Sequence, residues 1–375
     1  MLRALVHRCD PAGRVTAAGC HCAGGAGPSQ VDPERMVMTP GSMGARIFVL
    51  RSTRRRRLDH HRRHLPVADG QRLRAHAGHP LRGADRRVEA HITDAVHARG
   101  GLIFLQLMHT GRISHPSLLP AGATPVAPSA IAAEGQVYTA TGSQDFVVPR
   151  TLDTGEIAGV VDEYRRATRH ALQAGFDGVE LHAASGYLPE QFLSSGTNRR
   201  KDRYGGSPES RARFIIEVLT AMTDRAGSDR TGIKISPEMG FNSVTDAAPQ
   251  ETYRYLVQRL SMLRLAYLHL ARTRSAFDYR ALARPLFNGP LLLGGGLDRD
   301  RAASLIAQRA ADAAVFGSLY LANPDLLQRF AAGAPLNAPD RETFYSDGPR
   351  GYVDYPVLGQ TLEVGQVDWR GAARA

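Results

Sequence analysis

Polar side chains follow the ends of several short apolar runs. Gln106 lies in the run LIFLQL with His109 just beyond it, His182 directly follows GVEL, Tyr187 comes five residues later, and Lys234 lies in GIKIS. If these runs are parallel strands, their carboxyl ends meet at one edge, where the catalytic groups of strand–helix barrels converge. A single His at a strand end is more often packed or capped than functional. The coincidence at successive ends favours an active site with hydrogen-bonding or acid–base chemistry.

Two glycine-containing turns follow the last two predicted strands. The first is the triplet of residues 294–296, and the second is Phe316-Gly317-Ser318. A glycine triplet alone is more often a tight turn than a phosphate site. At the ends of the seventh and eighth strands of a barrel, however, backbone N–H groups of such turns can hold a phosphate.

Short apolar strands alternating with helical patterns predict an α/β fold with a parallel sheet. A closed (β/α)8 TIM barrel needs eight strands, and the missing one should fall between the first and the second. The sequence predicts seven strands, centred near residues 37, 104, 179, 234, 268, 292 and 315. It predicts helices ending near 99 and over 156–174, 207–225, 249–263, 298–309 and 323–330.

The gap in the strand pattern coincides with an arginine-rich segment. Residues 51–90 hold twelve arginines, no lysine and four acids, a net charge of +8 out of +11 for the chain. The segment lacks aromatic residues and apolar periodicity, so no core strand is expected over 47–88. It can be interpreted as a basic arm that binds nucleic acid, as a solvated insert, or as a sequence translated out of frame.

The genetic code favours the out-of-frame interpretation. Asp59, His60 and His61 are encoded by GAY-CAY-CAY, and Arg62 and Arg63 are consistent with CGN-CGN. One nucleotide later, these codons give three residues that are Ile or Thr, followed by two that are Val, Ala, Asp or Gly. An apolar strand is therefore available in the neighbouring frame, where the barrel lacks one.

Composition excludes several classes of protein. The 375 residues are 43% hydrophobic and 22% charged, which is typical of globular proteins, and no apolar run approaches the ~18 residues of a membrane span. The three cysteines, Cys9, Cys20 and Cys22, provide no disulfide framework and too few ligands for a metal site. A cytoplasmic enzyme without metal is expected.

The stretch HAASGYLPEQFLSSGTNRRKDRYGGSPESRARFIIEVLTAM, residues 182–222, resembles the signature of the Old Yellow Enzyme family of FMN-dependent ene-reductases. The similarity is nearly continuous over 91–356 and returns faintly at MVMTP, residues 36–40. It implies a TIM barrel that carries FMN at the carboxyl edge of its strands. The implied organisation is an atypical segment 1–35, an FMN-binding barrel 36–356 with the arginine-rich part 47–90 unlike a barrel, and a tail 357–375.

The resemblance also implies the chemistry. FMN is reduced by NADPH or NADH and passes hydride to the β-carbon of an activated alkene. His182 resembles the residue that hydrogen-bonds the substrate carbonyl, and Tyr187 resembles the residue that protonates the α-carbon. Ser185 stands where the family has a second carbonyl-binding Asn or His.

Further positions resemble flavin contacts. Ser42 and Gln106 resemble residues at the flavin carbonyl and pyrimidine edge, while Lys234 replaces an Arg beside flavin N1 and O2. Ser318 stands where the family has a phosphate-binding Arg, and Met108 replaces a common aromatic residue. The family's phosphate-loop glycines correspond to Gly295, Gly296 and Gly317.

The sequence thus predicts an FMN-dependent oxidoreductase that reduces the C=C bond of small α,β-unsaturated carbonyl compounds with NAD(P)H. The expected protein is a monomer or homo-oligomer that binds neither nucleic acid nor membrane. The disrupted second strand and the four departures leave one alternative open, a catalytically impaired or frame-disrupted homologue with weak or no FMN binding. A polyanion binder using the basic segment ranks lower, because that segment has no interleaved aromatic residues.

Overall fold

Short strands alternate with helices along the chain. The computed structural model describes residues 6–9, 15–18, 43–51, 92–98, 101–344, 350–352 and 354–359, the first three ranges as strand backbone. The strands are β1 (Val6–Cys9), β2 (Val15–Ala18), β3 (Met43–Arg51), β4 (Gly101–His109), β5 (Val126–Ala127), β6 (Gln136–Thr139), β7 (Gly142–Asp145), β8 (Arg150–Thr151), β9 (Gly178–Ala183), β10 (Thr231–Ile235), β11 (Tyr267–Leu270), β12 (Leu291–Gly294) and β13 (Ala313–Val315).

Helices separate most strands of the second half. They are α1 (92–97), α2 (Thr154–Gln173), α3 (Leu188–Leu193), α4 (Pro208–Ala226), α5 (Pro249–Met262), α6 (Tyr279–Leu286), α7 (Arg299–Ala307), α8 (Ser318–Ala322) and α9 (Leu326–Ala332). Among the described residues, no helix is both long and apolar enough to cross a bilayer.

A curled sheet of seven strands carries the fold. Its order is β13-β12-β11-β10-β9-β4-β3, and the six strands from β13 to β4 run parallel. These six agree with six of the seven predicted strands, and the seventh, near residue 37, lies outside the described residues. The described strands do not close into a ring, so the α/β parallel sheet is confirmed and the closed barrel stays a prediction.

The edge strand β3 overlaps the start of the segment over which no core strand was expected. Its residues 47–51 pair antiparallel with β4, in a register that runs from Met43↔His109 to Arg51↔Gly101. The apolar run Ile47–Leu50 has the β-propensity that such pairing needs. The rest of the arginine-rich segment, including 58–63, lies outside the described residues.

Helix boundaries follow local capping chemistry. The Glu156 carboxylate accepts the Asp153 N–H at 2.8 Å at the start of α2, and Ser207 Oγ accepts the Ser210 N–H at 3.4 Å at the start of α4. Gly227, with φ +90°, ends α4. Such side chains satisfy N–H groups that lack partners within the helix. The buried faces of α2, α4 and α5 then pack on one another and against the sheet.

Two aromatic rings fill the inner face of the sheet near the amino ends of its strands. Phe104 and Tyr267 lie with ring centroids 5.6 Å apart. A methyl group at Gly178 would lie 2.4 Å from the Phe104 ring, and one at Gly232 would lie 2.4 Å from the Tyr267 ring. The two glycines therefore make room for the rings, and the side chains one layer further along the strands are polar.

Candidate active site

A layer of polar side chains lies on the inner face, above the rings. Glu180 of β9 is buried; one carboxylate oxygen accepts Gln106 Nε2 at 2.5 Å and the other lies 3.3 Å from His269 Nδ1. Lys234 of β10 is in register with both His182 and His269. Burial lowers the pKa of His269, so this imidazole is neutral near pH 7. The layer therefore combines one carboxylate with one half-buried ammonium.

The Glu180 contact fixes the orientation of the Gln106 amide. A carboxylate oxygen only accepts, so the amide nitrogen of Gln106 must face it. Oε1 of Gln106 then points away, and among the described residues this fully buried atom has no hydrogen-bond partner. Buried acceptors without partners are costly, so this oxygen is suited to a donor from a bound molecule.

His182 and Tyr187 come together at the carboxyl end of β9. Their rings meet edge to face, with centroids 5.0 Å apart, and both side chains are largely buried. His182 Nδ1 accepts the Ala184 N–H at 3.3 Å. A neutral imidazole with that acceptor carries its proton on Nε2, which makes Nε2 a hydrogen-bond donor.

The turn that joins β9 to α3 holds Ser185 in an unusual conformation. Its φ is +58°, a left-handed value that costs on the order of 1 kcal/mol or more in a residue other than glycine. Ser236 Oγ accepts the Ser185 N–H at 2.8 Å, and Asn242 Nδ2 donates to the Ser185 carbonyl at 2.7 Å. The Ser185 hydroxyl lies 3.7 Å from the sulfur of Met239. The backbone of the turn is thus held on both sides.

A buried carboxyl group also holds this turn in place by accepting a hydrogen bond from its backbone. Glu190 of α3 accepts the Gly186 N–H at 2.6 Å and the Tyr253 hydroxyl at 2.9 Å, and Ser236 Oγ lies 3.3 Å away. Burial raises the pKa of Glu190 to about 7, although these hydrogen bonds act in the opposite direction. The segment bearing His182 and Tyr187 therefore rests on a group that titrates near neutral pH.

The turn after β4 is tied to the turn after β9 by Gln191. Its Nε2 donates to the carbonyls of Thr110 at 3.0 Å and Gly186 at 2.7 Å, and its Oε1 accepts the Arg112 N–H at 3.2 Å. Gly111 has φ +61°, and a methyl group there would lie 2.2 Å from the Gln191 side chain. Glycine is required at this position by both conformation and space.

Arg112 holds two loops over the carboxyl edge. The residue is 2% exposed, and its guanidinium donates to the carbonyls of Ile131, Ala132, Asn242 and Ser243 at 3.0–3.1 Å. Burial lowers its pKa from the ordinary arginine value. The loops on either side of the site are therefore joined through one buried cation.

A small apolar cluster surrounds Tyr187. It consists of Met108, Ile113, Ala133 and Tyr187, with Phe146 packed against it. Met108, which replaces a common aromatic residue of the family, is fully buried and packs in the same cluster as Tyr187. Nearby His109 accepts the Gly111 N–H on Nδ1 at 3.0 Å, and burial lowers its pKa to about 4. His109 is therefore a neutral structural residue.

The predicted phosphate turns lie further along the same edge. Gly295 and Gly296, directly after β12, have φ of +101° and +74°. Gly317 follows β13 by two residues, and a methyl group there would contact no described atom within 4 Å. The exposed residues at the rim are Gly295, Gly296, Gly317 and Ser318. Open backbone of this kind can present N–H groups to an anion.

The structure brings most of the predicted site residues to one edge of the sheet. His182, Ser185 and Tyr187 share the β9 end, and Gln106 and Lys234 flank them on β4 and β10. The glycine turns lie on the far side of β11, and Ser42 lies outside the described residues. Sequence inspection missed Glu180, Glu190, Gln191, Arg112, Ser236 and Asn242. An acid or amide within a run of otherwise apolar residues was the available signal for the first three.

Proteins with similar sequences include reductases. The model of the NADH:flavin oxidoreductase / NADH oxidase family matches residues 76–337. A probable flavin mononucleotide-dependent alkene reductase from Leishmania infantum is 44% identical over 277 residues, which are 71% of this chain and 75% of that protein. The 12-oxophytodienoate reductase 1 of Oryza sativa subsp. japonica is 42% identical over 282 residues, 72% of this chain and 73% of that protein.

Two solved structures have a fold similar to that of this chain. The structure of morphinone reductase in complex with tetrahydroNAD has a TM-score of 0.71 at 44% identity, covering 74% of this chain and 78% of that one. An old yellow enzyme homologue from Zymomonas mobilis has a TM-score of 0.72 at 37% identity, covering 74% and 80%.

A parallel α/β sheet with a buried His–Tyr pair at its carboxyl edge, together with the likeness to these proteins, defines a flavin oxidoreductase. The chain belongs to the NADH:flavin oxidoreductase / NADH oxidase family, the Old Yellow Enzyme family predicted from its sequence. The prediction of an NAD(P)H-dependent flavin oxidoreductase is likewise confirmed. In the described part of the chain, no group of three or more metal-binding side chains is assembled.

Proposed function

We propose that this protein reduces the C=C bond of a small α,β-unsaturated carbonyl compound with NAD(P)H, using FMN bound at the carboxyl edge of the sheet. The observation that carries the proposal is the His182–Tyr187 pair, whose ring centroids lie 5.0 Å apart at the end of β9, next to the polar layer. A hydrogen-bond donor for a carbonyl oxygen and a proton donor for carbon are what this reaction needs beside the flavin.

The residues present fit FMN. The buried Oε1 of Gln106 lacks a partner among the described residues and is an acceptor, as the N–H of a flavin pyrimidine edge requires. Lys234 supplies a positive charge next to the same layer, where it would stabilise a reduced, anionic flavin. The glycine turns after β12 and β13 would receive the phosphate. When bound, FMN supplies the hydride chemistry of the reaction.

The chain's own residues would act on the substrate. Nε2–H of His182 would donate to the substrate carbonyl oxygen and stabilise the negative charge that develops there. The Tyr187 phenol would deliver its proton to the α-carbon. Ser185 would offer its hydroxyl as a second donor only after leaving the sulfur of Met239.

The curled parallel sheet and its likeness to family structures support a (β/α)8 barrel over 36–356 in which the region of the second strand and its flanking helix is replaced or disrupted. A cytoplasmic location suits an enzyme that consumes NAD(P)H and has no disulfide framework. The substrate would be a small molecule, and either NADPH or NADH could be the reductant.

An absorbance spectrum of the purified protein, followed by anaerobic turnover, tests the function. A stoichiometric flavin band and consumption of cyclohexenone with NADPH or NADH support the ene-reductase. Folded protein without flavin would favour the impaired homologue. Flavin reduction without consumption of any enone would contradict the alkene-reductase assignment while leaving the oxidoreductase class intact.

A further inference from the structure

One arginine lies directly against the glycine turn after β12. A methyl group built at Gly295 would lie 2.4 Å from Cβ of Arg272, and one built at Gly296 would lie 3.2 Å from Nη1 of the same arginine. The Arg272 side chain therefore runs along both glycines, with its guanidinium at Gly296. It can take this course because neither glycine has a side chain.

The position of Arg272 follows from the sheet. β11 ends at Leu270 and β12 at Gly294, and the two strands are parallel neighbours in register Leu270↔Leu293. Residues just beyond β11 and β12 therefore meet at the rim. The successive positive φ values of Gly295 and Gly296 leave their backbone open beside the guanidinium.

The charge of Arg272 has no partner among the described residues. Arg272 is exposed and forms no ion pair or hydrogen bond with another described side chain. Arg299, another arginine near this rim, is engaged elsewhere: its guanidinium donates to the Asp300 carboxylate at 2.8 Å and to the Phe330 carbonyl at 3.3 Å. Arg272 is thus the cation that touches the glycine turn.

We propose that Arg272 binds the phosphate of FMN and so replaces the cation that the family resemblance expects at Ser318. This inference rests on the proposed FMN-dependent function. A guanidinium presents a planar fork of N–H donors suited to phosphate oxygens, and a serine hydroxyl offers one neutral donor. Moving the cation from the turn after β13 to the end of β11 keeps a positive charge beside the phosphate turn.

The phosphate contribution can be isolated by comparing FMN with riboflavin, which lacks the phosphate. Dissociation constants of both would be measured by fluorescence quenching with the flavin-stripped full-length protein. For Arg272→Ala, we expect FMN binding to weaken about 10- to 100-fold, the range for charge-assisted hydrogen bonds, while riboflavin binding stays within about 2-fold. The matched control is Arg274→Ala, an exposed arginine two residues away, which should change neither constant.

A restoring variant completes the test. Ser318→Arg in the Arg272→Ala background should recover most of the FMN affinity by returning a cation to the phosphate turn. Equal weakening of FMN and riboflavin by Arg272→Ala, or no weakening of either, would overturn the assignment of Arg272 while leaving the flavin function intact. Wild-type protein that binds neither flavin would overturn the proposed function and this inference together.

Discussion

The residue with the most direct proposed role is Tyr187. Tyr187→Phe removes the hydroxyl but keeps the ring that meets His182 edge to face and packs on Met108. Flavin reduction by NAD(P)H should stay near normal, because it needs no proton on carbon. The oxidative half-reaction with an enone should slow about 10²-fold or more, the usual contribution of a positioned acid. Stopped-flow measurement of the two half-reactions checks this.

Two outcomes would contradict that role. Equal slowing of both half-reactions would indicate a general disturbance of the site, and an unchanged oxidative rate would remove Tyr187 from the mechanism. Quinones, which require no carbon protonation by the enzyme, serve as the matched substrate and should be reduced at nearly the wild-type rate.

Glu190 predicts a pH dependence of stability. Its pKa is raised to about 7 in the folded protein against 4.5 when unperturbed, so the folded state holds the proton more tightly. This stabilisation is fully present below the unfolded pKa and is lost as the pH rises through about 7. Glu190→Gln stays uncharged and can still accept the Gly186 N–H. Relative to this variant, wild type should lose on the order of 1–3 kcal/mol between about pH 5 and pH 8.

Thermal unfolding at a series of pH values measures the effect. Glu251→Gln, in the exposed first turn of α5, is the control and should follow the wild-type curve. Parallel curves for wild type and Glu190→Gln would mean that the buried carboxyl does not titrate in this range.

At the scale of elements, Arg112 joins the loops over the site. Arg112→Met keeps much of the side-chain volume but leaves buried carbonyls of both loops without donors. We expect a loss of about 3 kcal/mol of unfolding free energy, because groups left unpaired in the interior carry their full desolvation cost. Arg150→Met is the control: its ion pair with Glu156 is about half exposed, and its loss should cost less than about 1 kcal/mol. Equal losses in denaturant unfolding would contradict the bridging role.

The sequence predicted elements where the local signal was strong. β9, β10 and β11 are apolar runs of four to six residues beside polar strand ends. Short apolar runs of this length indicate buried strands in an α/β fold. Helix α6 was missed because it is only eight residues long and contains Pro285, which argues against a helix. Its start is nonetheless marked by Asp278, whose carboxylate accepts the N–H groups of Arg280 and Ala281 at 3.0 Å.

The site was predictable in its residue types but not in its supports. His182, Tyr187, Gln106 and Lys234 follow from strand ends and family resemblance. Ser236 accepts the Ser185 N–H across 51 residues of sequence, and Arg272 meets Gly295 across neighbouring strands. Contacts of this range depend on the register of the sheet, which no local pattern specifies.

At the scale of the whole molecule, β3 is the feature that a complete barrel cannot contain. Strands of a (β/α)8 barrel are all parallel, whereas β3 pairs antiparallel with β4 and occupies the edge where a barrel strand should lie. The missing strand was predicted in the neighbouring reading frame over Asp59–Arg63. The antiparallel edge and the arginine-rich segment are therefore consistent with one cause, a local change of frame before β4.

The nucleotide sequence over codons 40–95 tests this cause. Read one nucleotide later over Asp59–Arg63, it should encode an Ile- and Thr-rich strand followed by a helical pattern. A variant with that frame restored should place the new strand parallel to β4 in place of β3 and bury apolar side chains where arginines now stand. Its unfolding temperature should rise by on the order of 5 °C, and flavin occupancy should reach one per chain. The matched control carries synonymous codons in the present frame and should behave as the wild type. If the shifted frame encodes no apolar strand, the arginine-rich segment has another origin. If the restored chain is no more stable than the wild type, β3 stabilises the sheet as much as the restored strand does.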